Sequence, residues 1–339
     1  MNDNVIVIGA GVSGLSLARQ LSASGACAVR LIEKSQGVGG RCASRRVDGL
    51  PVDHGVAVLH GASDTFQREL KSIVDCTLID GWPWRVVGPG TPCQPQAFRT
   101  QSSRAAVVQG VNALPKHLAA GLNIARGTMV HTIRLDGGRF VVSTDKGGES
   151  AGTLVITCPV DQTRKLLEPL AATSPQVRAV LQVLQSVFMM PSLTVLAGYD
   201  RPPDPDWHIM LPGPDSALHS VINDSSKRDA RSQVIVCQAS ARYSRAHLEA
   251  DPARWSAELL ADASALLGDW VQHPRWQQHH RWRYARVQRG HELSHPVLID
   301  LPGGARLALC GEAFNPRGGV EGAFLSGIEL AQRLGSDPS

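Results

Sequence analysis

Two sets of residues in this chain have types and spacings that could do chemistry. Gly9, Gly11 and Gly14 form G-x-G-x-x-G. Glu33 follows about 20 residues on, where a carboxylate can accept hydrogen bonds from ribose hydroxyls while the glycines bring backbone against a pyrophosphate. Near the other end His291, Glu292 and His295 spell H-E-x-x-H. That is the zinc-protease pattern, with two histidines one helical turn apart on the metal and the glutamate as base.

The surrounding elements decide between them. "NVIVIGAGVSGLSLARQLSASG" reads as a short apolar strand, a tight turn, and a helix with the stripe Leu15, Ala18 and Leu21 ending near Gly25. Val12 and Ser13 open that helix, whose free N–H groups and positive dipole end favour phosphate. A second strand, "AVRLIE", delivers Glu33, with Lys34 beside it. The histidine motif has no such frame. Gly290 precedes it, Pro296 follows, and proline disfavours helical geometry at His295. It is read as a loop, and no metal is assigned.

Composition narrows the class. The 339 residues suffice for two domains, and 43% hydrophobic with 19% charged residues is ordinary for a soluble globular protein. A net charge of +4, with Arg104, Arg126, Arg134 and Arg139 scattered, gives no basic stripe for nucleic acid. Seven cysteines without a C-x-x-C pair read as reduced thiols in a cytoplasmic protein. Val5 to Ile8 is too short an apolar run for a leader or a membrane span.

The glycine motif alone does not separate NAD from FAD. "EKSQGVGGRCASRR" adds Gly39 and Gly40, which would let the chain fold back near the pyrophosphate, and Arg41, which could reach a phosphate oxygen. This combination resembles the FAD-binding start of the flavin amine oxidase superfamily. "ARLALCGEAFNPRGGVEGAFLSGIELAQRL" supplies a buried strand, Gly311-Glu312, then Gly318-Gly319 before a helix with Phe324, Ile328, Ala331 and Leu334 on its apolar face. In a flavoprotein of that type, the N-terminus of this helix (Gly319, Val320, Glu321) would face the flavin. Backbone N–H groups near Gly322 and Ala323 would then stabilise negative charge on the reduced ring.

Between these ends, "TMVHTIRLDGGRFVVST" is a hairpin about Gly137-Gly138, and "GTLVITCPV" is a strand stopped by Pro159. "SLTVLAGY", "ALHSVIN", "QVIVCQAS" and "RWQQHHRWRYA" read as strands. "DPARWSAELLADASALLG" reads as a helix with Asp251 as cap and Gly268 past its end. The expected fold is α/β: a Rossmann-like FAD-binding domain of the glutathione reductase/amine oxidase type with an inserted mixed-sheet α+β substrate domain. Residues 1–55, 101–160 and 295–339 are expected to form the first domain, and 56–100 and 161–294 the second.

Over nearly its whole length the sequence resembles the renalase family of FAD-dependent oxidases. The resemblance rests on "VIGAGVSGLS", "GGRCASRR", the Asn223–Arg228 segment, "ARYSRAHLE", "HRWRYAR" and "CGEAFNPRGGVEGAFLSG". It implies FAD, with Val130 near the adenine. It also implies oxidation of 2- and 6-dihydro isomers of NAD(P)H by hydride transfer to flavin N5, with oxygen reoxidising the flavin to give hydrogen peroxide. Departures fall on the substrate side. "DHGVAVLHG" puts Ala57, Val58 and Leu59 where relatives carry a glutamine and two aromatics, and Gln238 stands where a histidine is often found. Glu312 replaces an aspartate and can still bond ribityl or phosphate-side groups.

Hydride transfer needs positioning and excluded water more than a side-chain base. None of the six lysines is a persuasive base, and Lys227 reads as lying in a loop. No catalytic residue is assigned. His54, Tyr243, Arg281, Trp282 and Tyr284 are pocket candidates. The adjacent His279 and His280 would point to opposite faces of a strand. Three functions stay open: a renalase-like oxidase, another flavin-dependent amine oxidase or desaturase, and a non-redox FAD protein. The expected partners are a small substrate and O2, with no nucleic acid and no membrane, in a monomer or homodimer.

Overall fold

A computed structural model describes residues 4–25, 27–98, 102–200, 205–228 and 232–336. The chain divides into two compact units, each assembled from separate segments. The first comprises 1–40, 114–189 and 286–339, the second 41–113 and 190–285. The expected border at 100–101 lies outside the described residues.

The first unit is built on a six-stranded sheet in the order 297–300, 306–309, 153–156, 5–8, 29–32, 124–125. Only the edge strand Val297–Asp300 runs antiparallel to its neighbour. Val5–Ile8 is buried at every position because parallel neighbours flank it on both sides. The helix Val12–Ser24 forms the crossover to Val29–Ile32 and ends at Gly25, whose φ of 66° satisfies a left-handed C-cap. It packs on the C-terminal helix Gly319–Ser336, an approach so close that a Cβ on Gly327 would lie 2.2 Å from Ser16 Oγ. The hairpin Val130–Asp136 and Arg139–Thr144 turns on Gly137 and Gly138, both at positive φ, and gains a third strand, Gly147–Ala151.

Residues 161–189, expected on the substrate side, fall in the first unit. The helices Val160–Ala171 and Pro175–Leu184 bury Leu167, Val177, Val180 and Leu184 in the same core as Ile6, Leu154 and Leu307. Residues 41–55 fall in the second unit, where Ser44–Val47 pairs with Leu50–Asp53 and Val52 joins the core of Trp82, Leu196 and Val236.

The second unit holds a six-stranded sheet in the order 276–287, 189–199, 233–239, 218–223, 209–210, 86–87. All four strands read from its sequence are present. The helix Pro252–Leu267 is capped by Asp251, which accepts from Ala253 N–H at 3.0 Å, and it packs Trp255 and Leu259 on this sheet. Among the described residues no helix is long and apolar enough to cross a membrane.

Candidate functional site

The first unit builds a nucleotide cradle at the carboxyl ends of its strands. Gly9, at φ 105°, makes the turn that a side chain would resist. A Cβ on Gly14 would lie 2.2 Å from Gly9 O, so that position keeps the helix tight on the turn. Gly11 differs: nothing lies within 4 Å of where its Cβ would be. It caps the helix without a side chain, and the first-turn N–H groups at Val12 and Ser13 have no intrahelical acceptor. Gly39 N–H donates to Ala10 O at 2.8 Å, and Gly39 bridges to Gly11. The Gly39-Gly40 turn therefore folds back over the first glycines, as its sequence suggests.

Glu33 is buried, and its carboxylate bridges both turns. Oε2 accepts from Ala10 N–H and Oε1 from Ser35 N–H, each at 2.8 Å. A carboxylate has about four lone-pair sites, so two backbone bonds leave capacity for a ribose diol. Lys34 beside it is exposed. Val130 begins its strand opposite Thr144 and packs against the core. Thr157 escaped the sequence reading. Its Oγ1 sits 3.0 Å from both Ile8 O and Gly9 O and clamps the end of the first strand. The signal was a lone threonine after a buried strand, which is too common to stand out.

At the C-terminal strand, Gly311 N–H donates to Ser326 Oγ at 3.0 Å, tying Gly311 to the final helix. Glu312 and Glu321 are both buried. The helix begins at Gly319, and Gly322 N–H donates to Gly318 O at 2.8 Å. The sequence reading expects stabilising N–H groups near Gly322 and Ala323, and that of Gly322 is engaged by Gly318 O. A helix starting at 319 leaves first-turn N–H groups, beginning with those of Gly319 and Val320, without an intrahelical acceptor.

The second unit gathers the pocket candidates unequally. His54 stacks on Trp282 with ring centroids 5.5 Å apart and meets His280 edge-on at 5.1 Å. Trp282 Nε1–H donates to His54 O at 2.9 Å, and Gln238 Nε2–H donates to Gly55 O at 2.8 Å. Gly55 was not singled out from sequence, yet a Cβ there would lie 2.1 Å from Arg41 O. Arg41 itself reaches Ala285 O. Arg45 holds His280 Nδ1 at 3.0 Å and Gln278 Oε1 at 3.2 Å. Burial first, then Arg45, then His280 lower the His54 pKa to about 3. Burial first, then Arg45, lower that of His280 to about 4. Both imidazoles are therefore neutral at pH 7.

Two of the other candidates hold partners outside that cluster. The Tyr243 hydroxyl donates to Glu258, and burial with that bond raises its pKa out of reach. Arg281 donates to Ala250 O at 3.0 Å. Tyr284 is half-buried in the same strand as Trp282. His279 packs on Trp255 while His280 faces His54, the opposite faces that a strand dictates.

Lys227 ends a 3-10 turn, Asp224–Lys227, within the segment read as a loop, and its side chain is fully buried. Nζ lies 2.9 Å from both Asp53 Oδ2 and Asp224 Oδ1 and 4.8 Å from the Trp82 ring centroid. Arg228 pairs with Asp224 as well. Asp53 lies 174 residues from Lys227 and 171 from Asp224, so no local pattern could announce its part in the cluster.

The H-E-x-x-H segment is irregular, with Gly290 at φ 85°. His291 Nδ1 meets Ser186 O at 3.0 Å, and His295 Nδ1 meets Glu329 Oε1 at 2.9 Å. The two rings are committed to separate partners. The chain crosses between units inside the preceding strand, after Ala285, so the motif lies wholly in the first unit.

A parallel sheet, a glycine cradle at its first crossover and a buried acid after its second strand define a dinucleotide-binding protein of the FAD type. The cradle's donor set fits that cofactor: open backbone at Gly11 for pyrophosphate and a carboxylate at Glu33 for ribose. The chain belongs to the family of flavin-containing amine oxidoreductases, whose model matches residues 92–335, and its cofactor is FAD. A model for an NAD(P)-binding Rossmann-like domain matches residues 7–76.

Shorter matches join it to curated proteins. It is 46% identical over 61 residues to probable polyamine oxidase 4 of Arabidopsis thaliana, covering 18% of this chain and 12% of that protein. It is 34% identical over 74 residues to polyamine oxidase 7 of Oryza sativa subsp. japonica, covering 22% and 16%. The matches thus span less than a fifth of those relatives. Among solved structures, a putative protoporphyrinogen oxidase from Exiguobacterium sp. 255-15 superposes with a TM-score of 0.72 at 13% identity, covering 98% of this chain and 99% of that one. A redesigned putrescine oxidase gives 0.72 at 15% identity, with 98% of each covered. At those identities the likeness establishes the fold.

Proposed function

We propose that this protein is an FAD-dependent oxidase that takes hydride from a small substrate, best read as a 2- or 6-dihydro isomer of NAD(P)H. FAD, when bound, would supply a hydride acceptor at N5 and a route for the electrons to oxygen, with hydrogen peroxide as the product. Val12 and Ser13 N–H bind the pyrophosphate beside Gly11, Gly39 and Gly40. Glu33 orients the ribose, and Gly311, Glu312 and the helix starting at Gly319 flank the flavin end.

The observation that carries the substrate reading is the charge of the His54–His280–Trp282 surface. Two imidazoles held neutral, an indole and the Arg45 guanidinium cluster there, and the neighbouring carboxylates of Asp53 and Asp224 are spent on Lys227 and Arg228. A polycationic amine gains nothing from such a surface, while an anionic nucleotide with a flat ring is attracted and stacked. Lys227, locked and buried, is not a base, which suits a hydride transfer that needs none.

A second reading, oxidation of a polyamine, is favoured by the short matches to polyamine oxidases. One experiment separates the two. The yellow holoprotein is mixed anaerobically with 2-dihydro-NAD, 6-dihydro-NAD, ordinary NADH or a polyamine. Bleaching by the isomers alone supports the proposal, and bleaching by the polyamine alone replaces it with the second reading.

A further inference from the structure

The second unit contains a thiol–imidazole pair to which no role has been given above. Cys93 Sγ lies 2.6 Å from His219 Nε2, and both side chains are half-buried. The histidine reaches this place through an irregular strand. Leu218 pairs with Ala239 but Ser220 pairs with Gln238, so His219 is the extra residue of a bulge between them. Bulges re-aim a side chain out of the ladder. On the cysteine side the chain is fixed before and after: Gly90 N–H donates to Leu211 O at 2.9 Å, and Gln94 Oε1 meets His60 Nε2 at 2.8 Å. A Cβ on Gly88 or Gly90 would lie 2.2 Å from the carbonyls of Leu211 or Pro212, which seats this segment against its neighbour.

The two buried thiols of the second unit make a contrast. Burial pushes Cys42 and Cys237 up to about 12. Such thiols are inert, because the thiolate is the nucleophile. A half-exposed cysteine with an imidazole in contact can pass its proton to Nε2 and keep the thiolate as an ion pair.

We propose that Cys93 and His219 form an activated thiol, a site at which hydroperoxides oxidise this protein. The thiolate attacks one oxygen of the peroxide, so the S–O bond forms as the O–O bond breaks. The leaving hydroxide takes the proton held on His219 and departs as water. Sulfur loses two electrons, the peroxide gains them, and Cys93 becomes a sulfenic acid. Hydrogen peroxide is also the product under the proposed function, and in that one respect the inference builds on it. The test adds peroxide directly, so the two readings fail separately.

The holoprotein is pulsed with iodoacetamide from about pH 5.5 to about pH 9, and alkylation of Cys93, Cys27 and Cys76 is followed by peptide mass spectrometry. Cys93 should react at least about tenfold faster at pH 7 than Cys27 and Cys76, with an inflection well below the ordinary thiol value of about 8.5. His219→Asn should return the inflection toward that value, and one equivalent of hydrogen peroxide followed by dimedone should label Cys93. The wild-type profile stands by itself should the variant fold poorly. Equal reactivity of the three cysteines, an unchanged profile in a folded His219→Asn, or no dimedone adduct overturns the proposal.

Discussion

Lys227 Nζ lies 2.9 Å from Asp53 Oδ2 with both side chains fully buried. Asp53 also accepts from Ser44 Oγ–H at 2.6 Å and from Val111 N–H at 3.0 Å. One carboxylate thus ties the segment before His54 to two other parts of the second unit. Removing one partner of such a pair leaves an uncompensated charge. Lys227→Met should cost about 3–5 kcal/mol in denaturant unfolding. Asp53→Asn in the same chain should recover part of the loss, since it removes one of the stranded charges. A loss below about 1 kcal/mol would show that the pair is solvated after all.

Gly11 and Gly14 should respond to alanine in opposite ways. At Gly14 the new Cβ meets Gly9 O, so the protein itself loses stability by roughly 1–3 kcal/mol. At Gly11 the methyl group meets only open space in the protein. Gly11→Ala should melt within about 0.5 kcal/mol of wild type when flavin is removed. Its affinity for FAD should nonetheless fall at least about tenfold, because the methyl stands where the pyrophosphate must approach. Flavin retention by visible absorbance and melting of the flavin-free protein distinguish the two outcomes. Equal FAD affinity in Gly11→Ala would move the pyrophosphate elsewhere.

His54 makes acid stability a test of its burial. Its ordinary pKa of about 6.5 falls to about 3 in the folded protein, first through burial and then through Arg45. The unfolded chain therefore binds a proton that the folded one refuses. The stabilising contribution is complete above about pH 6.5 and is lost as pH falls toward about 3. His54→Gln removes the titration, so its melting temperature should decline less steeply than that of wild type between those limits. Parallel declines would place His54 in contact with solvent.

His295→Ala should be almost silent. The ring is exposed and pairs with Glu329, an interaction worth about 0–1 kcal/mol. Elemental analysis of the wild type should find no stoichiometric zinc. Zinc that is present and disappears in this variant would restore the protease reading.

The nucleotide half of the site is legible in sequence because its parts are local. Gly9, Gly11, Gly14 and Glu33 lie within one crossover, where a strand, a turn and a helix follow each other by short-range rules, and the structure joins Glu33 to Ala10 as that unit requires. The same local logic exposed Pro296 as a loop residue and located the four strands of the second unit, whose order in the sheet came from the structure. What the sequence by itself determined was the cradle, its cofactor class and the strand pattern. The tertiary structure decided the rest. Which helices joined which core depended on pairing between distant segments, so residues 161–189 packed with the cradle rather than with the inserted sheet. The burial of Lys227, the stacking of His54 on Trp282 and the meeting of Cys93 with His219 each join residues more than a hundred positions apart. A linear pattern records neighbours along the chain, and charge, protonation and reactivity depend on neighbours in space.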